Sequence, residues 1–333
     1  MKILITGVAG FIGAHLAERL LKEGNEVYGI DIMLRNNREN IKELEANERF
    51  HFFETSILHE SSLDMLIKKC DMIYHLAAAV GVENIIGDIL KVIEINVDGA
   101  KNVFSMAGLY NKKIIFSSTS EIYGKSNKVP FREDDDRILG PTTIDRWVYS
   151  STKALGEYML IGYHRQGLPM SIARFFNAYG PKLDMEGSGR VMARFIMQTI
   201  DGKDITIIGD GKQTRCFTYI DDIVEGLIRC GINPLAEGQI FNIGSDFEVS
   251  ILDLAKIIVN KIGSRSRIVH VDAKSIYGDG YEDITRRVPD VSKAAKLLDF
   301  RAKISIEEGI KRTIEWFIKR KKHSYDNTES KTR

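Results

Sequence analysis

The sequence has few cysteines, no long hydrophobic run and almost no net charge, and each absence excludes a class of protein. The three cysteines, Cys70, Cys216 and Cys230, form no CxxC pair, which argues against a disulfide-held fold and predicts free thiols in a cytoplasmic protein. The apolar run 72–82 is interrupted by His75 and is too short to cross a bilayer. With 47 basic and 46 acidic residues, the net charge is +1. We therefore expect no nucleic-acid partner and no membrane partner.

What the sequence does have is a globular composition and a regular alternation of short apolar segments with amphipathic ones. Hydrophobic residues make up 44% of its 333 positions and charged residues 28%, which is typical of a folded globular protein. Apolar residues recur at helical spacing in 11–22, 89–110 and 146–166. The predicted strands between them are Lys2–Thr6, Glu26–Asp31, Phe50–Thr55, Asp71–Leu76, Lys113–Ser118 and Met170–Phe175. This alternation predicts an α/β fold with a doubly wound parallel sheet of the Rossmann type.

The alternation ends near residue 178, where glycines cluster and the predicted strands become short. This change predicts a Rossmann domain over 1–178, with contributions from about 216–245, and a smaller α/β substrate-binding cap over 179–320. The last stretch, 321–333, is polar and has no apolar period. It is predicted to be a frayed, solvated tail.

A glycine-rich segment predicts a dinucleotide site. Gly7, Gly10 and Gly13 follow the first strand and open the first helix, so backbone N–H groups and the helix N-terminus can meet a pyrophosphate. Asp31 ends the second strand, where a carboxylate accepts hydrogen bonds from ribose hydroxyls and repels a 2′-phosphate. The sequence thus favours NAD over NADP. Further residues predicted to contact NAD are Phe11, Ile12, Ile57, Leu76, Ala77 and Ala78.

The segment Tyr149-Ser-Ser-Thr-Lys153 places a phenol and an ammonium four residues apart on one face of a helix. A Tyr hydroxyl in water has a pKa of about 10. A nearby ammonium is expected to lower that pKa, so that Tyr149 can act as a base near neutral pH.

Together these motifs resemble the extended short-chain dehydrogenase/reductase superfamily, over about residues 1–320. The resemblance implies that Tyr149 is the catalytic base, that Lys153 binds the nicotinamide ribose, and that Thr119 and Ser120 hold the reacting oxygen. Tyr149 and Lys153 would then contact NAD as well.

Motifs in the second half resemble those of enzymes that act on nucleotide sugars. The segments Arg174–Pro181 and Gly209–Asp222 imply that Asn177 and Arg215 contact a substrate diphosphate and that Val191 lines the base. An Arg fork suits phosphate geometry.

The segment Thr119-Ser120-Glu121, together with Gly140–Tyr149 and Gly278–Arg287, is similar to UDP-glucuronate decarboxylases. That resemblance implies that Ser120, Glu121 and Arg287 act on the carboxylated sugar, with Arg287 also binding the substrate. A UDP-sugar 4-epimerase or an NDP-sugar 4,6-dehydratase on the same scaffold is the alternative. The C2 substituent of the sugar and the product, a pentose or a 4-keto-pentose, are left open, and no metal site is predicted.

Decarboxylation of a hexuronate needs a C4 ketone, because only a β-keto acid can lose CO2 to a stabilised enolate. NAD is expected to accept the C4 hydride while Tyr149 accepts the hydroxyl proton. Apolar residues of the helices 89–110 and 146–166, such as Val92, Val97, Met159 and Tyr163, exceed what one face against the sheet requires. By resemblance, these helices predict a homodimer.

Overall fold

The computed structural model describes residues 1–80, 88–184, 190–272 and 284–329. The main sheet has seven strands in the order β11-β6-β5-β4-β1-β2-β3, and every neighbouring pair is parallel. Its strands are β1 (Lys2–Thr6), β2 (Glu26–Asp31), β3 (Phe50–Glu54), β4 (Met72–His75), β5 (Lys113–Thr119), β6 (Met170–Phe175) and β11 (Gln239–Ile243). The predicted doubly wound parallel sheet is confirmed.

Helices cover both faces of this sheet, so both faces of the strands are apolar. On one face lie α1 (Phe11–Lys22) and α7 (Ile220–Ile232), joined through buried side chains such as Leu20 and Leu227. The opposite face is covered through a second apolar cluster. Its helices are α2 (Glu60–Lys69), α4 (Gly99–Leu109) and α5 (Arg146–Arg165).

The helix that the sequence predicts over 89–110 is interrupted. It consists of α3 (Ile89–Ile93), a π-helical turn (Glu94–Asp98) and α4. The fold also changes the interpretation of the apolar residues on this helix and on α5. Val92 is buried, and Met159 and Tyr163 of α5 pack against the second cluster. The exposed apolar residues of these helices are different ones, such as Leu90 at 79% and Tyr158 at 65%. Val97 is half-buried, and the homodimer stays a prediction.

The remaining elements form three two-stranded sheets and further helices. The short strands pair as β7 with β10, β9 with β12, and β8 with β13. These strands are β7 (Ala178–Tyr179), β8 (Ile205–Ile208), β9 (Thr214–Cys216), β10 (Thr218–Tyr219), β12 (Glu248–Ser250) and β13 (Ile268–Val271). The accompanying helices are α6 (Val191–Ile200), α8 (Ile251–Ile262), α9 (Ser292–Leu298) and α10 (Ile306–Glu329).

Strand β11 joins the main sheet from within the range 216–245 that the sequence assigns to the Rossmann domain, and the domain boundary at 178 stays a prediction. Helix α10 continues to Glu329, so residues 321–329 are helical, and a frayed, solvated tail over 321–333 stays a prediction. Its early part is anchored because Lys321 pairs with Asp201 of the α6–β8 turn. Within the described residues, no helix is both long and apolar enough to cross a membrane.

Candidate active site

The carboxyl edge of the main sheet opens on a cavity of about 640 Å³. It lies where β1 and β4 are neighbours and the chain order of the sheet reverses, which is where α/β sheets bind ligands. Every residue that the sequence predicts as an NAD contact lines this cavity. These residues are Gly7, Gly10, Phe11, Ile12, Gly13, Asp31, Ile57, Leu76, Ala77, Ala78, Tyr149 and Lys153.

The glycines allow a close approach of main chain to main chain. A Cβ built on Gly13 would lie 2.2 Å from the carbonyl oxygen of Gly7, and one on Gly7 would lie 2.8 Å from the amide nitrogen of Ala77. Gly7 also has a φ of +75°, which disfavours other residues. The turn therefore requires glycine, and its backbone forms the wall of the cavity beside the N-terminus of α1. This arrangement fits a dinucleotide pyrophosphate.

Asp31 extends the cavity at the end of β2. Its carboxylate accepts hydrogen bonds from the backbone N–H groups of Ala9 and Met33, each at 3.0 Å. Burial raises the pKa of Asp31, and these N–H groups partly oppose that rise. The carboxylate is thus held against the glycine turn, with the orientation that a ribose acceptor needs.

Lys153 is buried beneath the cavity and has a defined position. Its Nζ donates to the carbonyl oxygen of Ser117 at 2.8 Å and lies 4.6 Å from the centroid of the Phe116 ring. Burial lowers the pKa of Lys153 to about 7, while the nearby carboxylate of Glu157 opposes the decrease. A Lys with this pKa is partly neutral near pH 7, so it is a weaker source of positive charge than the sequence suggests.

The pKa of Tyr149 differs from the sequence-based expectation. Burial and the negative charge of Glu121 raise it above its ordinary value, whereas Arg190 and a hydrogen bond with Thr119 lower it. Lys153, whose Nζ donates to the carbonyl oxygen of Ser117, is not among the groups that lower the pKa of Tyr149. The hydroxyl of Ser118 also lines the cavity, is buried, and has no hydrogen-bond partner among the described residues. It is a polar atom available to a ligand.

The residues predicted to act on the sugar meet at the end of β5. Thr119 Oγ1 accepts the N–H of Glu121 at 3.1 Å. The guanidinium of Arg287 donates through Nη1 to Glu121 Oε1 at 2.8 Å and to Ser120 Oγ at 3.4 Å. Burial raises the pKa of Glu121, but the opposing charges, Arg287 first, prevail and bring it to about 2. Glu121 is therefore an anion at neutral pH.

The predicted substrate contacts in the second half are placed unevenly. Arg215 lies on β9 and its charge contributes to the low pKa of Glu121. Asn177 has a φ of +30° and donates to the carbonyl of Cys216 at 3.3 Å, and such a backbone in a non-glycine residue is typical of functional sites. Val191 begins α6 and packs against the larger apolar core. Residues 278–283 of the second decarboxylase-like segment lie outside the described residues.

Comparison with known proteins identifies the family. A sequence profile described as GDP-mannose 4,6 dehydratase matches residues 4–313. The chain belongs to this family of extended short-chain dehydrogenases/reductases. The family is NAD-dependent, and the glycine turn, Asp31 and the unpartnered Ser118 hydroxyl fit that cofactor.

Three proteins that are similar to this chain illustrate the reactions of its relatives. The chain is 43% identical to a UDP-N-acetyl-alpha-D-glucosaminuronate decarboxylase of Bacillus cytotoxicus, over 95% of this chain and 97% of that protein. A Bacillus cereus UDP-glucuronic acid 4-epimerase, solved with UDP-glucuronic acid and NAD, matches at a TM-score of 0.86, with 31% identity over 96% and 99% of the two chains. A UDP-N-acetylglucosamine 4-epimerase of Methanobrevibacter ruminantium matches at a TM-score of 0.87, with 26% identity over 96% and 98%.

Asn96 and Arg146 contact residues of the site but are not among the site residues that the sequence predicts. Asn96 lies in the π-helical turn, and its buried side chain bonds both the N–H and the carbonyl of Ala79 and the hydroxyl of Thr152. It thereby joins the loop after β4 to the helix of Tyr149. Arg146 lies 3.5 Å from Glu121 Oε2 through its Nη2. The sequence offers a signal for Arg146, which lies three residues before Tyr149, but the π-helical turn that holds Asn96 is visible only in the structure.

Proposed function

We propose that the protein is an NAD-dependent decarboxylase that acts on a UDP-hexuronate through a C4-keto intermediate. The observation that carries the proposal is the position of Arg287, whose guanidinium contacts Ser120 and Glu121 beside the hydroxyl-bearing pair Thr119 and Tyr149. A guanidinium at this place can hold a C6 carboxylate while the C4 hydroxyl faces the base.

The sugar that we propose carries a 2-acetamido group, as the name of the 43% identical relative specifies. UDP-glucuronate, without that group, is the simpler member of the same substrate class and the second substrate to test. Both have the C4 hydroxyl and C6 carboxylate that the mechanism requires. The diphosphate is assigned to Arg215 and Asn177, on β9 and before β7.

When bound, NAD would supply the hydride acceptor for C4, and the residues of this chain would move and stabilise the accompanying charges. Tyr149 takes the proton of the C4 hydroxyl. After CO2 leaves, the sugar has an enolate oxygen at C4, and the hydroxyls of Tyr149, Thr119 and Ser120 stabilise it by hydrogen bonding. Burial and the charge of Glu121 raise the pKa of Tyr149, and the positive charge of a bound cofactor would oppose that rise.

Glu121 has a different role from Tyr149. With a pKa of about 2 it holds no proton to donate near neutral pH. As a permanent acceptor, it is suited to orient a sugar hydroxyl or the water that protonates C5. It cannot bind the substrate carboxylate directly, because the two negative charges repel.

A 4-epimerase is the second candidate, and the Bacillus cereus relative supports it, since that enzyme was solved with UDP-glucuronic acid and NAD. Such an enzyme shares the oxidation at C4 with a decarboxylase. The two differ in whether the carboxylate is lost before the ketone is reduced. The product therefore distinguishes them.

The test is to incubate the protein and NAD with UDP-N-acetylglucosaminuronate or UDP-glucuronate, following the sugar by NMR and CO2 release. A pentose or 4-keto-pentose lacking C6 is expected. Glu121→Ala is expected to bind NAD like the parent and to release no CO2, whereas Glu54→Ala, an exposed residue at the end of β3, keeps the parent rate. A 4-epimer that retains C6 refutes the decarboxylase, and a wild-type CO2 rate in Glu121→Ala refutes the role of Glu121.

A further inference from the structure

Arg146 lies on the same helix face as the two residues of the Tyr-Lys motif. It begins α5, three residues before Tyr149 and seven before Lys153, and these spacings align side chains along one face. The other two line the cofactor cavity. The guanidinium of Arg146 instead reaches the sugar-binding end, where its side chain is 15% exposed and lies 3.5 Å from Glu121 Oε2.

Glu121 is thus held by two guanidinium groups, one at each carboxylate oxygen. Oε1 faces Arg287 at 2.8 Å and Oε2 faces Arg146 at 3.5 Å. Its backbone is fixed separately, because the Ser150 hydroxyl donates to its carbonyl at 2.8 Å. Arg146 can therefore keep the carboxylate in place while Arg287 changes partner.

Three arginines act on Glu121, since the charges of Arg287, Arg146 and Arg215 each lower the pKa of its carboxyl. The Nε of Arg287 is buried and has no hydrogen-bond partner among the described residues. A buried cation with an unused donor is costly until an anion arrives. A hexuronate carboxylate brings such an anion to Arg287, whereas a neutral hexose does not.

We propose that Arg146 is a positioning residue that makes the site select a carboxylated sugar: it holds Glu121 so that Arg287 can turn to the C6 carboxylate. The inference rests on the proposed function, since it requires a hexuronate substrate. It differs from a purely structural role for Arg146, in which the guanidinium supports the helix start by lying 5.7 Å from the centroid of the Trp147 ring. A structural role affects carboxylated and neutral sugars alike.

The experiment measures binding without turnover, in a Tyr149→Phe parent saturated with NAD. Isothermal titration gives the dissociation constants of UDP-glucuronate and UDP-glucose, and of the corresponding 2-acetamido pair. The parent is expected to prefer the acid of each pair. Arg146→Gln is expected to reduce that preference by about 10- to 100-fold, the size of one charge-assisted hydrogen bond, by weakening binding of the acid alone.

Two further variants serve as comparisons. Arg146→Lys keeps the positive charge but loses the planar guanidinium, so it is expected to retain part of the preference for the acid. If Arg146→Gln does not bind NAD, the comparison is made with Arg146→Lys alone. Arg267→Gln removes an exposed arginine paired with Asp204 and is expected to change neither constant.

The outcomes separate this inference from the proposed function. A parent that binds the acid and the neutral sugar equally refutes this inference, whereas the proposed function is refuted by the product analysis described above. A parent that prefers the acid, with the same preference in both Arg146 variants, refutes only the inference. Equal weakening of both sugars in Arg146→Gln shows a structural role and refutes the inference as well.

Discussion

The dinucleotide half and the sugar half of the candidate site are formed by different kinds of groups. The dinucleotide half is formed by main chain, where Gly7 and Gly13 approach neighbouring backbone so closely that a Cβ would collide. The sugar half is formed by charged side chains, with Glu121 between Arg146 and Arg287. The first arrangement suits recognition by shape and backbone N–H groups, and in the proposed function the second would recognise the sugar by the charges of its side chains.

This difference separates the effects that substitutions are expected to have. Changing the backbone turn alters the shape of the cavity and hence the affinity for NAD. Changing a charge in the sugar half leaves that shape intact and alters substrate choice or proton binding. Tyr149 borders both halves, since it lines the cavity and its pKa responds to Glu121.

The largest effect is expected for Tyr149→Phe, which removes the proposed base and leaves both halves in place. Turnover is expected to fall by about 10²- to 10⁴-fold, the usual contribution of general base catalysis. The dissociation constant for NAD, measured by fluorescence titration, is expected to stay within a few-fold of wild type. Tyr158→Phe is the control, because Tyr158 is on the same helix but exposed. Turnover at the wild-type rate in Tyr149→Phe contradicts its role as the base.

A smaller effect, confined to the dinucleotide half, is expected for Gly13→Ala. The new Cβ would lie 2.2 Å from the Gly7 carbonyl oxygen, so the turn must shift, at a cost of about 1–3 kcal/mol. Such a cost corresponds to a loss of about 5- to 150-fold in NAD affinity if it falls on the bound state. Urea unfolding and NAD titration measure the two contributions.

Gly162→Ala is the matched control for that substitution. Gly162 lies inside α5 with open space around a built Cβ, so the variant is expected to keep its NAD affinity and to be as stable as wild type or up to about 1 kcal/mol more stable. If Gly13→Ala behaves like Gly162→Ala, the backbone turn does not determine cofactor binding.

The sequence predicted the dinucleotide half well because its determinants are local. Glycine spacing, the helix Phe11–Lys22 and the strand Glu26–Asp31 lie within one short stretch, and the structure has these two elements at the predicted bounds. Tyr149 and Lys153 share a helix, so their spacing alone placed them at one cavity. In such cases the local pattern contains most of the geometry.

The sugar half depended on contacts that no local pattern contains. Arg287 reaches Glu121 across 166 positions, and the family resemblance rather than spacing brought them together. Arg146 entered the sequence analysis only as part of a motif, because the residues around it in the sequence do not indicate that its guanidinium faces Glu121. The structure raises the pKa of Tyr149, where the sequence predicts a decrease, because burial and the charge of Glu121 outweigh the groups that lower it. Spacing gives a helix face, but not the partner that a flexible side chain selects.

The smallest expected effect is a difference in how stability depends on pH. The folded pKa of Glu121 is about 2, below the ordinary 4.5, so its contribution is present above pH 4.5 and is lost as pH falls towards 2. Glu121→Gln lacks this titration. The melting temperature of wild type is therefore expected to exceed that of Glu121→Gln near neutral pH, with a difference that shrinks as pH falls below 4.5.

Asp31 provides the opposite case in the other half, because burial raises its folded pKa above the ordinary 3.8. Folding therefore favours its protonated form, and the contribution of Asp31 to stability decreases as pH rises through its ordinary pKa towards the folded value. Across that window, the melting temperature of Asp31→Asn is expected to rise relative to wild type as pH rises, while that of Glu121→Gln falls relative to wild type as pH rises from 2 to 4.5. Differential scanning fluorimetry at half-unit pH steps measures both slopes. If the two variants show slopes of the same sign, the folded-state pKa values of Glu121 and Asp31 are not shifted in opposite directions. The effects assigned to the two arginines beside Glu121 and to the burial of Asp31 are then contradicted.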